Sequence, residues 1–459
     1  MHDIFGLLAP NATIGMKTGS AFKQQRRLWN CILAPTFIDT VVASSLYGST
    51  QRLIQIWQTR AKRAPGLAFE VDLDLRQTTL EGMWEMITGT GLGLLAAVED
   101  HALEARILIV RKLSKVEFKG RVRYPPIYTA LSTMLTCVDW IITGFSLRFY
   151  TWVFKSLPIL PPAEKIVDRA LQQVLDGIRG RQDNGVVSVN RSALYEVILR
   201  DSALHGKSGM AGSDAALKSE MVELLITGHE TSASSVGWAL KYLSDHPHTQ
   251  NRLRRSLFAA FPDARGCGNT PSSADIIAAD LPYLDAVIAE TLQVACIGPV
   301  SFRQAQQECD VLGHRIPMGT TVILLTAGPS YEVVATERPY VPLDVRSKTS
   351  QETAQRSGIP QWNNSHSVSV FEPERWLDVN GNFSPDAGPS LPFSAGPRGC
   401  FGKRIALLEL RFMISLIIWN FELPRLAAEL SQYTARDSLT RKSTCCYIAP
   451  RPLSGNEKE

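Results

Sequence analysis

"PFSAGPRGCFGKR", residues 392–404, sets one cysteine, Cys400, among glycines at 396, 399 and 402, directly before the apolar run "FGKRIALLELRFMISLIIWNFEL". That run carries apolar side chains at three- and four-residue spacing and predicts a helix over 402–421. At the start of a helix, unpaired backbone amides and the macrodipole favour negative charge, so a thiol placed there tends to ionise. The glycines let the backbone turn tightly and let a flat, bulky ligand approach the main chain. Phe393 can shield one side of the sulfur from water. Such surroundings suit a metal-bound thiolate, whose electron donation is tuned by amide donors and local apolarity. The rival reading is a structural cysteine buried at a helix N-terminus.

Around this stretch the chain reads as one large domain over residues 1–459, with no Pro/Ser/Gly-rich linker, low-complexity tract or internal repeat. A hydrophobic share of 45% and a charged share of 20% are those of a globular protein and exclude extended disorder and a polytopic membrane protein. The net charge of +4, with no basic run interleaved with aromatics, gives no sign of nucleic-acid binding. The eight cysteines form no CxxC pair and no zinc-like spacing with histidines, which points to a reduced compartment and leaves the adjacent Cys445 and Cys446 as plain core or strand residues. The opening "MHDIFGLLAPNATIGMKTGS" has neither the basic start nor the apolar length of a secretory signal. The most apolar region, 128–154, is interrupted by Asp139 and Arg148, so no spanning anchor is expected; burial is favoured over lying on a bilayer surface.

Helical periodicity is clearest over 215–245, 284–294 and 402–421. "CDVLGHRIPMGTTVILL" (309–325) reads as a short hairpin followed by a further strand, and "TCCYIAP" near the end as one more. The polar stretch 343–370 has no period and reads as a surface loop. The fold class is therefore mainly α with small β-sheets.

Phe393, Gly396, Arg398, Cys400 and Gly402 together spell F-x-x-G-x-R-x-C-x-G, which resembles the haem-binding loop of the cytochrome P450 superfamily, microsomal type. The resemblance implies the cytochrome P450 fold, with Cys400 as axial ligand to the iron of haem b. "ELLITGHETSASSVGWAL" (223–240) is similar to the family's oxygen-activation segment, in which Thr231 would hydrogen-bond bound dioxygen and Glu230 would help relay protons. Thr227 departs from that pattern, standing where alanine or glycine is usual. A mid-helix threonine can also bond back to the carbonyl four residues earlier and loosen the helix. Three arginines match the family's partners of the haem propionates: Arg398, Arg303, and Arg26 in "AFKQQRRLWNCILAPTF", whose W-x-x-x-R tryptophan is Phe22 here. The family's Glu-x-x-Arg pair, tied to a later P-E-R segment, is present as Glu290 and as Arg375 in "FEPERW", but Gln293 replaces the helix arginine. Loss of one ionic member from a buried network is expected to cost a few kcal/mol unless something compensates.

The resemblance runs from about Phe22 to Ile448 and implies a monooxygenase that inserts one atom of O2 into an apolar small molecule. No nucleotide-binding G-x-G-x-x-G follows a predicted strand, so electrons from NADPH would arrive through a separate flavoprotein reductase. It further implies residence at the cytoplasmic face of the endoplasmic reticulum, with possible peripheral membrane contact. The W-x-x-x-R-like helix falls within the first thirty residues, so the chain reads as truncated at its N-terminus, with uncovered sheet edges and reduced stability. Two rivals follow. One is a non-catalytic or poorly folded relic with weak or no haem binding, motivated by Gln293 and the missing start. The other is a haem protein that rearranges a peroxide or dehydrates its substrate, against which the Glu230–Thr231 pair stands.

Overall fold

Helices carry most of the computed structural model, which describes residues 9–183, 191–205, 213–311, 313–326, 369–388, 390–438 and 440–453. In chain order the longer ones are α1 (Ser20–Trp29), α2 (Ala43–Arg63), α3 (Asp72–Thr88), α4 (Leu94–Glu104), α5 (Pro126–Thr143), α6 (Leu147–Ser156), α7 (Leu160–Asp183), α8 (Ala193–His205), α9 (Asp214–Asp245), α10 (Pro247–Ala260), α11 (Pro282–Ala295) and α12 (Lys403–Asn420). The described residues form two compact units, one of Met1–Ala279 with Phe401–Glu459 and one of Asp280–Cys400.

The first unit is built around α9. Ser213 caps it by accepting from the Ala216 amide, and the helix is buried nearly all round, with Leu225, Ile226, Val236 and Leu240 sealed from solvent. Helix α3 lies against it so closely that a Cβ on Gly228 would stand 2.6 Å from the Met83 methyl, and the Thr79 hydroxyl reaches across to the His229 carbonyl at 3.0 Å. Helix α12 starts at Lys403, with Gly402 at its cap, and buries Phe412, Met413, Leu416, Ile417 and Trp419. The Trp419 indole donates to the Asn269 carbonyl and meets Phe258 edge-on at 4.9 Å. The sheets of this unit are short antiparallel pairs. β1 (Phe69–Glu70) pairs with β11 (Tyr447–Ile448), and β2 (Arg106–Val110) with β3 (Lys115–Lys119). β8 (Phe421–Glu422) pairs with β12 (Arg451–Pro452), and β9 (Ala435–Asp437) with β10 (Arg441–Ser443). The strand expected in "TCCYIAP" is β11, and Cys446 beside it is a core residue at 1% exposure.

On α12, Glu409 is 2% exposed, and burial, opposed only by a hydrogen bond from Ser232, pushes its carboxyl up to about 8. The folded chain keeps a proton that the unfolded carboxyl gives up near roughly 4.3. Stability from this group is therefore complete below about 4.3 and is lost as pH rises through about 8. Glu409→Gln retains the shape without the titration. Its melting temperature should exceed that of the wild type by several degrees at pH 8.5 and match it near pH 5, as followed by circular dichroism.

The second unit carries α11 and two hairpins. β4 (Val300–Gln304) pairs with β7 (Thr321–Leu325), Arg303 opposite Val322, and β5 (Cys309–Val311) pairs with β6 (His314–Ile316). The hairpin and following strand read from 309–325 are thus present. Helix α11 packs through Ala286 and Ala289 onto Trp376, Leu377 and Phe383. The expected loop at 343–370 lies outside the described residues except for Ser369 and Val370.

The apolar region 128–154 departs from the burial expected of it. Helix α5 buries Leu131, Met134, Val138 and Ile141, but Trp140 is 52% exposed, Phe145 83% and Trp152 66%. Phe149 lies stacked on Phe145, with ring centroids 5.4 Å apart, and is exposed with it. Phe149 and Trp152, three residues apart, share a side of α6, and Phe145 lies two residues before that helix; the described residues leave all three rings exposed.

Candidate functional site

In the second unit the loop before Cys400 is closed by its own backbone. The Cys400 amide donates to the Phe393 carbonyl at 2.8 Å and the Gly399 amide to the Gly396 carbonyl at 2.9 Å. Gly396, at φ +71°, takes the left-handed conformation that glycine adopts without strain, and a Cβ on Gly399 would press to 3.2 Å on the Gly396 oxygen. Ser394 is also left-handed, at φ +55°, and is held there by Arg303, whose Nη2 donates to Ser394 Oγ at 2.6 Å while Nη1 donates to the Phe302 carbonyl at 2.9 Å. Arg398 ends a short 3-10 turn begun at Gly396, two residues before the cysteine, and is half-buried, as is Phe393. Cys400 itself is exposed, which removes the reading of a buried structural cysteine; it precedes α12 by three residues instead of standing on its first turn.

The same unit contains the acid pair read from the sequence. Glu290, wholly buried on α11, lies 3.2 Å from Arg375 Nε. It also accepts from the Glu372 amide and the Trp376 indole, each at 2.8 Å. Burial raises its carboxyl to about 7, against the pull of Arg375 and the two neutral donors. Gln293, one turn along, is half-buried and is not among the partners of Glu290 in the described residues. The missing arginine is thus compensated by a backbone amide and an indole from the segment that carries Arg375. Trp376 was in view in "FEPERW", but nothing in its spacing marked it as a donor.

In the first unit, α9 from Ser219 to Ser244 is sealed except for one stripe. Glu223, Leu224, Thr227, Gly228 and Thr231 are half-buried while their neighbours are buried, and at steps of one, three and four residues they occupy one face. Along that face the Thr227 hydroxyl donates to the Glu223 carbonyl at 2.8 Å and the Thr231 hydroxyl to the Thr227 carbonyl at 2.7 Å. This is the back-bonding that mid-helix threonines allow. Glu230 belongs to the buried side. Its carboxylate lies 3.1 Å from Arg76 Nη1, 2.5 Å from Lys442 Nζ and 3.5 Å from His229 Nε2. Burial alone would raise this carboxyl, but the hydrogen bond and charge of His229, with Arg76 and Lys442, hold it far below the usual carboxylate range. The sequence placed Glu230 and Thr231 in one relay; the structure parts them, one ionised in a cationic nest and one on the open stripe. Arg76 and Lys442 lie 154 residues before and 212 after Glu230 and carry no local signal.

Arg26 on α1 lies over the rings of Phe22, at 5.3 Å, and Phe401, at 4.9 Å. The propionate candidates therefore fall into two groups: Arg303 and Arg398 with the thiol loop, Arg26 beside the residue that follows it. These residues fit a haem. An exposed soft thiol stands in a loop cross-tied by a guanidinium, and the described residues leave open space where a Cβ on Gly402 would stand, room for a flat ligand against the backbone.

A family model described as "Cytochrome P450" matches residues 11–331 and 362–442. A cytochrome P450 monooxygenase of Pestalotiopsis microspora is 29% identical over 97% of this chain and 78% of its own length. One of Fusarium sporotrichioides is 28% identical over 97% of this chain and 81% of its own. Among solved structures, a crystallised cytochrome P450 superposes with a TM-score of 0.70 at 16% identity, over 99% of this chain and 84% of that one.

Proposed function

The chain belongs to the cytochrome P450 family, whose members are haem monooxygenases, and from that premise we propose that it inserts one oxygen atom from O2 into an apolar small molecule, drawing electrons from NADPH through a separate flavoprotein reductase. The observation that carries the reading is the exposed Cys400 thiol in a glycine loop fastened by Arg303. Bound through that sulfur, haem supplies the activation of dioxygen. Arg303, Arg398 and Arg26 would hold its carboxylates by charge-assisted hydrogen bonds. On the half-buried stripe of α9, Thr231 would hand on its hydroxyl proton, which donates to the Thr227 carbonyl at 2.7 Å, as its oxygen takes up another. Glu230 stays ionised at neutral pH and joins that transfer only when Lys442 or Arg76 releases it. The retained stripe and the compensated Glu290 cluster favour an active enzyme over a relic.

Purified protein with a microsomal flavoprotein reductase and NADPH, turned over under 18O2 with a panel of apolar terpenoids and polyketides, should yield products heavier by one labelled oxygen. NADPH consumption without labelled product from any of them, in a protein that carries haem, counts against the monooxygenase reading.

The exposed rings of α6 and its flanks favour contact with a membrane surface. From Gly144 to Ala163 there is no acid, while Arg148 and Lys155 stand exposed beside Phe149 and Trp152. Apolar rings flanked by cations suit the interface of an anionic leaflet. Among the described residues no single helix is long and apolar enough to cross a membrane. The proposed residence is at the cytoplasmic face of the endoplasmic reticulum, with these rings in contact with the membrane surface. Co-flotation with phosphatidylserine vesicles, lost in Phe145→Ser/Trp152→Ser, checks this contact.

A further inference from the structure

Three aromatic rings lead from the buried side of α9 to solvent. Trp238 and Tyr242, one turn apart on that helix and 3% and 6% exposed, have ring centroids 6.0 Å apart and planes tilted by 25°. Tyr433, two residues before β9, lies against both, at 6.2 Å from Trp238 and 5.5 Å from Tyr242 with tilts of 16° and 21°, and is 42% exposed. Near-parallel π faces in contact are coupled electronically. An indole that solvent does not reach is thereby joined to a phenol that it does.

The outer phenol is equipped to lose a proton together with an electron. Its hydroxyl donates to Asp245 Oδ2 at 2.8 Å, an oxygen that also accepts from Ser431 Oγ at 2.7 Å. Burial and the Asp245 carboxylate push the phenol above its usual range, so the proton stays in place until the electron leaves. The Lys241 ammonium stands 5.6 Å from the Tyr433 ring centre and disfavours a second positive charge there. Oxidation of Tyr433 must then send its proton to Asp245 and leave a neutral phenoxyl radical. At the inner end, the Trp238 indole donates to the Arg441 carbonyl at 3.3 Å. Trp238 follows Thr231 by seven residues, two turns along the same side of α9 and about 10 Å along its axis.

We propose that Trp238, Tyr242 and Tyr433 form a path through which an oxidised haem left without substrate draws an electron from the protein surface. The proposal rests on the haem-thiolate reading above. The haem takes one electron from Trp238, which keeps its N–H on Arg441. Tyr433 returns that electron to the indole through Tyr242 and gives its phenolic proton to Asp245. A soluble thiol then yields a hydrogen atom to the exposed phenoxyl, becoming a thiyl radical, and Asp245 releases its proton to water. The rings spare the enzyme oxidative damage and take no part in oxygen insertion.

Ferric holoprotein without substrate, mixed with peracetic acid and frozen within milliseconds, is examined by electron paramagnetic resonance. The wild type should show a tyrosyl radical whose signal narrows when its tyrosines are ring-deuterated. Tyr433→Phe removes a single oxygen atom and should abolish that signal, and its haem should bleach severalfold faster under excess peracid. Asp245→Asn keeps the rings without the proton acceptor and should lower the radical yield. Tyr47→Phe is the control: the Tyr47 hydroxyl donates to the neutral Pro271 carbonyl at 2.7 Å, and its loss should leave the signal unchanged. Equal radical yields in wild type, Tyr433→Phe and Asp245→Asn, or no tyrosyl radical in the wild type, overturn the path while the carbon monoxide spectrum still reports a thiolate-ligated haem. A wild type that binds no haem overturns both readings.

Discussion

Arg375→Met should lose about 3 to 5 kcal/mol of stability, enough to leave much of the protein aggregated and the soluble remainder poor in haem. Its side chain is 2% exposed and supplies the charge facing the fully buried Glu290. Without it, Glu290 keeps only the Trp376 indole and the Glu372 amide, two neutral donors facing a charge in a medium that opposes charge. The carboxyl, already raised to about 7, would rise further and take up a proton near neutrality. The second unit then loses its tie between α11 and the segment around Trp376, from which the chain runs on to Cys400. Against a usual total of about 5 to 15 kcal/mol the loss is large. The double variant Glu290→Gln/Arg375→Met leaves no unpaired buried charge and should recover part of it, which a double-mutant cycle on thermal melts measures. Gln293→Arg should change the melting temperature by no more than a degree or two, because two donors already stand in for the missing guanidinium. A large gain in stability or haem content from that change would show the compensation to be inadequate.

Cys400→Ser should abolish the strongly red-shifted Soret band of the dithionite-reduced, carbon monoxide-treated protein and reduce product formation to background. A serine hydroxyl is a hard, weakly donating ligand at neutral pH, whereas the thiolate is soft and strongly donating. The thiol is exposed, so the fold should survive, with a melting temperature within a few degrees of the wild type. A pigment with unchanged optical properties in the variant would sink the assignment of Cys400 as ligand.

Local spacing carried the sequence reading furthest. The five positions from Phe393 to Gly402 are fixed by the backbone of one turn, so a string of residue types suffices to identify them. The helices over 214–245, 282–295 and 403–420 were legible for the same reason, since their apolar periods are long. What was not legible depends on distance along the chain. Glu230 next to Thr231 reads as a proton relay, but its ion-pair partners, Arg76 from α3 and Lys442 from β10, come from remote parts of the sequence. Gln293 reads as a defect until Trp376 and the Glu372 amide fold back onto α11. The rings of 140–152 read as core because apolarity marks a need for cover without saying what provides it.

Glu409 has companions. Burial also raises Glu220 to about 9, and Glu70 and Glu290 to about 7, so folding draws protons towards these carboxyls. The native molecule is therefore more basic at neutrality than its formal count of +4. It should bind a cation exchanger more tightly than that count implies, and unfolding in a weakly buffered solution should turn the medium acidic.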